Sequence, residues 1–182
     1  ALGQSVVVDN KPGAGTTLAA GVVARSPADG YTLMLLTSTN TISPSMYKSL
    51  SYEPATAFNM VSTIARGPMM IAVSKESGIR TLAELVARAK KEPGKLNYGA
   101  GGGGTTPHLA ALVLQRDAGI QMTHIPYKGG SETAVALVGG QIDVHFDQVT
   151  SSLQHVKAGT LQALAELGPA QDPTLLGVQT VA

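Results

Sequence analysis

Short apolar, β-branched runs alternate along this chain with segments whose apolar residues recur at helical spacing. Val6 to Asp9 reads as a buried strand, Asn10 to Thr16 as a Gly-containing turn, and Thr17 to Arg25 as a helix. Pro27-Ala28-Asp29-Gly30 is a turn, since Pro fixes φ and Gly permits a positive φ. Tyr31 to Leu36 predicts the next strand, followed by a polar loop over Thr37 to Thr41. Ser43-Pro44 then reads as an N-cap with Pro in the first helical position. After a less regular stretch, Met69 to Val73 resumes as a strand. Thr81-Leu82-Ala83-Glu84 predicts a capping box, in which hydroxyl and carboxylate satisfy reciprocal backbone donors. Leu82, Leu85, Val86 and Ala89 form one apolar helical face, which Glu92-Pro93-Gly94 ends.

The alternation then repeats. Leu96 to Gly99 reads as a strand, and Thr106-Pro107 opens a helix that Gly119 closes. Thr123 to Ile125 is a strand, Pro126 to Gly130 a loop, and Ser131 to Val138 a helix. Ile142 to Phe146 is a strand, Asp147 to Thr150 a loop, and Ser151 to Lys157 a helix. Leu161 to Leu167 is the last strand. Such alternation predicts an α/β fold with parallel sheets covered on both faces. Ligands of such sheets bind beyond the carboxyl ends of the strands. Here those loops are rich in Gly, Ser and Thr.

Composition narrows the chemistry. In 182 residues, 43% are hydrophobic and 14% charged, which supports a packed core and argues against disorder. Thirteen basic and twelve acidic residues leave no basic stripe, so nucleic acid is not an expected partner. The absence of cysteine removes thiolate chemistry, Cys-ligated zinc and disulfides. Apolar stretches such as Tyr31 to Leu36 are too short to span a bilayer, and no signal peptide is visible. The abrupt start at Ala1-Leu2-Gly3-Gln4 suggests that residues are missing at the front.

Four loops are candidate sites. Lys11-Pro12-Gly13-Ala14-Gly15-Thr16 fits an anion site at a helix N-terminus and fits a tight strand-to-helix turn equally well. Gly101 to Gly104, with Thr105 and Thr106, carries more glycine than a turn requires, and glycine runs are entropically costly. That points to a backbone nest for an anion, with a flexible loop as the bland reading. It lacks the Lys of a P-loop and the acidic residue of a dinucleotide fold. In Pro126-Tyr127-Lys128-Gly129-Gly130-Ser131, Tyr127 can wall a pocket and Lys128 can pair with an anion or lie on the surface. Asp147 either reads a ligand donor or holds a loop. His108, His124, His145 and His155 lack metal-site spacing, and no nucleophile–base set assembles, so neither metal, cofactor nor catalysis is expected.

Several stretches together resemble one known family. Val6-Val7-Val8-Asp9-Asn10-Lys11-Pro12-Gly13-Ala14-Gly15, Asp29-Gly30-Tyr31-Thr32-Leu33 and Pro93-Gly94-Lys95-Leu96-Asn97-Tyr98 are similar, in this order, to motifs of Bug-type solute receptors of tripartite tricarboxylate transporters. So are Thr123-His124-Ile125-Pro126-Tyr127-Lys128-Gly129-Gly130, Gly140-Gln141-Ile142-Asp143-Val144 and Lys157-Ala158-Gly159-Thr160-Leu161. The resemblance covers essentially the whole chain.

It implies a type II periplasmic-binding-protein fold, with two α/β lobes closing over a carboxylate-bearing ligand. Residues 1–71 would be a partial first lobe, 72–163 the second lobe, and 164–182 the return to the first. The family's opening strand with its loop, and its C-terminal portion, fall outside this chain, leaving the first lobe incomplete. Mapped onto this sequence, the implied ligand-binding residues are Gly13, Ala14, Gly15 and Thr16, then Ser38, Thr39 and Asn40. They continue with Gly102, Gly103, Gly104, Thr105, Thr106 and His108, then Tyr127, Lys128, Gly129 and Asp147. Ala57, Gln148, Gln179 and the stretch Glu166-Leu167-Gly168 depart from the family pattern. The implied function is a periplasmic, non-enzymatic receptor for a small carboxylate (a dicarboxylate, an aromatic acid or an acidic amino acid) that partners membrane permease subunits. The alternative is a truncated structural fragment that binds no ligand and forms a homodimer.

Overall fold

The computed structural model describes residues 3–175 and 177–181; the sequence reading of Ala1-Leu2 lies outside them. The chain divides into two compact units, Ala1–Met60 and Val61–Ala182. The expected boundaries at 71/72 and 163/164 each fall at a strand of the larger unit.

The larger unit is built on a five-stranded sheet. Its strands are β1 (Met69–Ser74), β2 (Asn97–Gly101), β3 (Thr123–Tyr127), β4 (Val144–Gln148) and β5 (Leu161–Leu167), in the order β3-β2-β4-β1-β5. The helices are α3 (Leu82–Lys91), α4 (Thr106–Ala118), α5 (Gly130–Val138) and α6 (Val149–Lys157). Alternate residues of β1 feed two cores on opposite faces. Ile71 and Val73 join Leu85, Ala89, Tyr98, Ala111 and Phe146 beside α3 and α4. Met70 and Ala72 join Leu137, Ile142, Val149, Leu161 and Ala163 beside α5 and α6. Burial on both faces is why Met69–Val73 reads as a continuous apolar run rather than an alternating one. Where β5 pairs with β1, Ile71 faces Ala165 and Ala72 faces Ala163. The bulge leaves Leu164 unpaired and puts it in the same core as Ala165.

The sheet is mixed, not parallel as strand–helix alternation predicts. β2 runs parallel to β3 and β4, whereas β1 is antiparallel to both β4 and β5. Crossover helices set the direction of the strands they join, but β1 enters the sheet with no helix of this unit before it. One end of the sheet therefore gathers the carboxyl ends of β2, β3, β4 and β5. Two boundaries also shift. Pro126 lies inside β3, tolerated because β3 is an edge strand with no neighbour to receive an N–H. α6 begins directly after β4, where a loop over Asp147–Thr150 was expected.

The smaller unit holds a 3-10 turn at Ala14–Thr16, α1 (Thr17–Ala24) and α2 (Ser38–Met46). The strands expected at 6–9 and 31–36 are absent: both segments are irregular, with Val7 87% and Tyr31 91% exposed. β-branched and aromatic residues favour a strand only where neighbours supply a ladder and cover a face. Among the described residues of this unit no strand is present to do so. The helix expected to begin at Ser43-Pro44 starts earlier. Thr37 is the N-cap, and its N–H donates to the Asn40 side-chain oxygen at 3.0 Å. Pro44 then lies inside α2 and has no N–H for the Asn40 carbonyl. The Ser43 hydroxyl supplies that donor at 2.8 Å, which lets the helix run on to Met46.

Candidate functional site

Three helices of the larger unit start at the same end of the sheet: α4 after β2, α5 after β3 and α6 after β4. Each brings N–H groups that have no partner within the helix, and a positive dipole end, to the carboxyl edge of a strand. The loop into α4 leaves glycine backbone unobstructed on one side. A Cβ added at Gly102 or Gly103 would meet nothing within 4 Å, so the backbone there can be approached closely. Thr105 is the N-cap of α4, yet its side chain makes no cap bond, unlike Thr81, which accepts from the Glu84 N–H at 3.2 Å. The Thr105 Oγ1 is buried and has no hydrogen-bond partner. A buried unpaired hydroxyl costs roughly 1–3 kcal/mol, so such groups call for an explanation. Thr106 follows as the first residue of α4.

His108, in the first turn of α4, faces inward. Its ring lies 4.4 Å from that of His124, and His124 stacks on Tyr98 at 5.0 Å. Burial, then the neighbouring His124, holds the His108 imidazole below its ordinary range, and burial does the same to His124.

The Asp147 carboxylate stands where α5 and α6 begin. Its Oδ1 accepts from the Gln148 N–H at 2.7 Å, and its Oδ2 lies against the Cα of Gly130, where a Cβ would overlap it. Burial raises the Asp147 carboxyl above its ordinary range, with hydrogen bonds from Gln148 and Ser151 opposing. Tyr127 packs its ring toward the core beneath α5 and lies over Gly99. Lys128 is exposed, and its N–H donates to Glu132 at 3.2 Å. Gly129 is the N-cap of α5 in an extended conformation.

The smaller unit has its own candidates. Ala14 (φ 45°), Gly15 (φ 56°) and Thr16 (φ 70°) turn left-handed in succession ahead of α1. A β-branched residue there is strained, a feature that concentrates at functional sites. Gly13 is tight for another reason: an added Cβ would come within 2.6 Å of the Leu18 Cδ1. This turn packs against α2, whose first residues are Ser38, Thr39 and Asn40. Thr39 and Asn40 are buried, and both the Thr16 Oγ1 and the Asn40 Nδ2 are buried without a partner. Among the described residues, no cluster of His, Asp or Glu could hold a metal ion, and no helix is long and apolar enough to cross a membrane.

Residues 1–182 match the family described as the tripartite tricarboxylate transporter family receptor. The chain belongs to the tripartite tricarboxylate transporter receptor family. It is 33% identical, over its whole length, to a protein encoded in the tcbD-tcbE intergenic region of Pseudomonas sp. (strain P51), of which it covers 54%. It is also similar to the R. palustris protein Rpa4515, solved with adipate: TM-score 0.94 and 33% identity, covering all of this chain and 61% of that one. A third relative is the periplasmic binding protein BugD, with TM-score 0.93 and 34% identity over 98% of this chain and 60% of the other. The fold is thus that of periplasmic binding proteins, as the resemblance implied, and the family is one of receptors rather than enzymes. The chain spans about half the length of the curated relatives it matches.

Within this receptor fold, three structural roles were not foreseen. Gly130, in the expected loop but not among the expected binding residues, is required by the Asp147 carboxylate; the Gly129-Gly130 pair was the visible signal. His124 reaches the Gly101 carbonyl, a contact between residues 23 apart that no local pattern shows. Asp143 joins the start of β4 to β2: its Oδ2 accepts from the Asn97 N–H at 2.7 Å.

Proposed function

We propose that this chain is part of an extracytoplasmic receptor that binds a small carboxylate and presents it to membrane permease subunits. One observation carries the reading. The helix starts after β2, β3 and β4 share one end of the sheet, and the first offers open glycine backbone beside a buried, unpaired Thr105 hydroxyl. Backbone N–H groups at a helix start bind an anion through hydrogen bonds and the dipole, without a charged partner. Asp147 already places a carboxylate over the starts of α5 and α6. The loop Gly102–Thr106 is therefore where a ligand carboxylate is received, and Asp147 faces the ligand's donor groups. The adipate bound to Rpa4515 supports a carboxylate as ligand. Neither the relatives nor the described residues supply an observation favouring the homodimer.

The test is calorimetric titration with adipate, malate, benzoate and glutamate. At least one acid is expected to bind, and Thr105→Val should weaken it about tenfold while leaving the fold intact, because a polar ligand atom loses its partner. Gly102→Ala should weaken it too, since the added methyl fills only open space. No heat from any acid, or binding that ignores both substitutions, would refute the assignment.

A further inference from the structure

The glycine loop is held at its two ends by two imidazoles. The Nε2 of His124 lies 3.2 Å from the Gly101 carbonyl oxygen, and the Nδ1 of His108 accepts from the Gly104 N–H at 3.3 Å. Between these anchors, Gly102 and Gly103 have open space on the side where a Cβ would stand. The rings come from separate elements, His108 from α4 and His124 from β3, and lie 4.4 Å apart with a tilt of 32°. Both stack against Tyr98 of β2. These contacts require a specific state. A neutral His108 must be bare at Nδ1 to accept from Gly104, while His124 must carry its proton on Nε2 to donate to Gly101.

We propose that His108 and His124 are positioning residues of the carboxylate site: the neutral pair clamps the Gly101–Gly104 loop in a shape that leaves Gly102 and Gly103 unobstructed on one side, and protonation of His108 releases the clamp. Protonation puts an N–H on Nδ1, facing the Gly104 N–H, so a donor meets a donor. It also places a cation in the first turn of α4, against the positive end of the helix dipole, and beside a second imidazole. The surroundings offer no compensation. Tyr98 is the titratable group facing the pair from β2, with a hydroxyl engaged by Gln115. The other charges of α4, Arg116 and Asp117, sit in its last turns and pair with each other at 2.7 Å. On β4 the inward neighbour is Phe146, which meets the Tyr98 ring edge-on. His145 and Asp147 face the other side of the sheet, toward Ser152 of α6 and Gly130 of α5. Burial of both imidazoles, and His124 beside His108, keep them neutral at ordinary pH.

The proposal rests on the carboxylate reading only for what the loop binds, not for how the loop is held. The experiment follows the ¹⁵N-labelled glycine amides and histidine side chains of the ligand-free chain by NMR from about pH 8 to about pH 5. The Gly104 amide should titrate together with the His108 ring, and its protection relative to intrinsic exchange should fall about tenfold once that ring is charged. His108→Asn, whose side-chain oxygen can accept in place of Nδ1, should keep the loop protected and flat across the range. His108→Ala should leave it loose throughout. A Gly104 amide that ignores the protonation of His108 in the unaltered chain overturns the clamp, as does full protection in His108→Ala. Adipate titration of the same samples is read separately. Weakening of about tenfold in His108→Ala but not in His108→Asn ties the clamp to binding. Unchanged adipate affinity in His108→Ala denies the pair its positioning role. A loop that titrates as expected in a chain that takes up no acid refutes the carboxylate reading and leaves the clamp standing.

Discussion

Acid should destabilise this chain chiefly through His145. The side chain is fully enclosed in β4, with its Nε2 2.8 Å from the Ser152 hydroxyl and its Nδ1 buried without a partner. The neutral ring fits this site by donating from Nε2, which leaves only a bare lone pair at Nδ1. Charging it would bury an N–H with no acceptor. Burial foremost, and the charge of His155 second, lower its pKa from 6.5 to about 4. That difference corresponds to about 3 kcal/mol. Below pH 6.5 the unfolded chain takes up a proton that the folded chain refuses. Stability is therefore complete above that point and is lost as pH falls toward about 4. The slope approaches about 1.4 kcal/mol per pH unit. His108 and His124 are shifted downward too and add in the same sense. Asp147 is shifted upward and opposes: its carboxyl takes a proton more readily when folded, which gains stability as pH falls.

Urea denaturation across this range, on the unaltered chain and on His145→Gln, isolates the term. The variant will have its own stability at neutral pH; the difference in slope is what matters. The unaltered chain should lose about 3 kcal/mol more than the variant between the two limits. Parallel pH curves would mean that His145 takes up its proton without unfolding, and the reasoning from burial would fail.

Two further predictions concern the helix starts. Gly130→Ala should cost about 1–3 kcal/mol, because its methyl overlaps the Asp147 carboxylate and presses on Ser151. Asp147→Ala in the same chain should restore most of that in thermal unfolding, whereas an unchanged midpoint in Gly130→Ala alone would disprove the packing. Ser43→Ala should cost about 1–3 kcal/mol by leaving the buried Asn40 carbonyl without its donor. Adding Pro44→Ala returns a backbone N–H at the right spacing and should recover the loss; chemical denaturation that shows no recovery would put the damage elsewhere.

What the sequence revealed follows from which forces are local. Leu161 to Leu167 was legible as a strand, and Thr106-Pro107 as a helix start, because burial on a covered sheet and capping chemistry both leave marks in neighbouring residues. Strand direction leaves none. The residues of β1 would look the same parallel or antiparallel, so the mixed sheet was invisible. The start of α2 was misread because Ser43-Pro44 imitates an N-cap, while the real cap pairs Thr37 with an Asn rather than the usual Glu or Gln. Val6 to Asp9 has strand-forming residues but no strand beside it, and propensity alone does not order a segment.

The candidate site divides along the same line. Glycines after successive strands announced where backbone would be open, and Gly102 and Gly103 do have space around them. What keeps such a run from being merely slack comes from farther away in sequence: His124 reaches Gly101 across the sheet, and the ring it meets, His108, holds Gly104. The histidines looked unremarkable because their spacing fits no metal or catalytic pattern, and their work depends on two rings meeting only after β2, β3 and α4 have assembled. A glycine loop read from sequence thus marks where a ligand can approach. The groups that fix the loop's shape are set by strand pairing, which must be known before the loop can be told from a flexible turn.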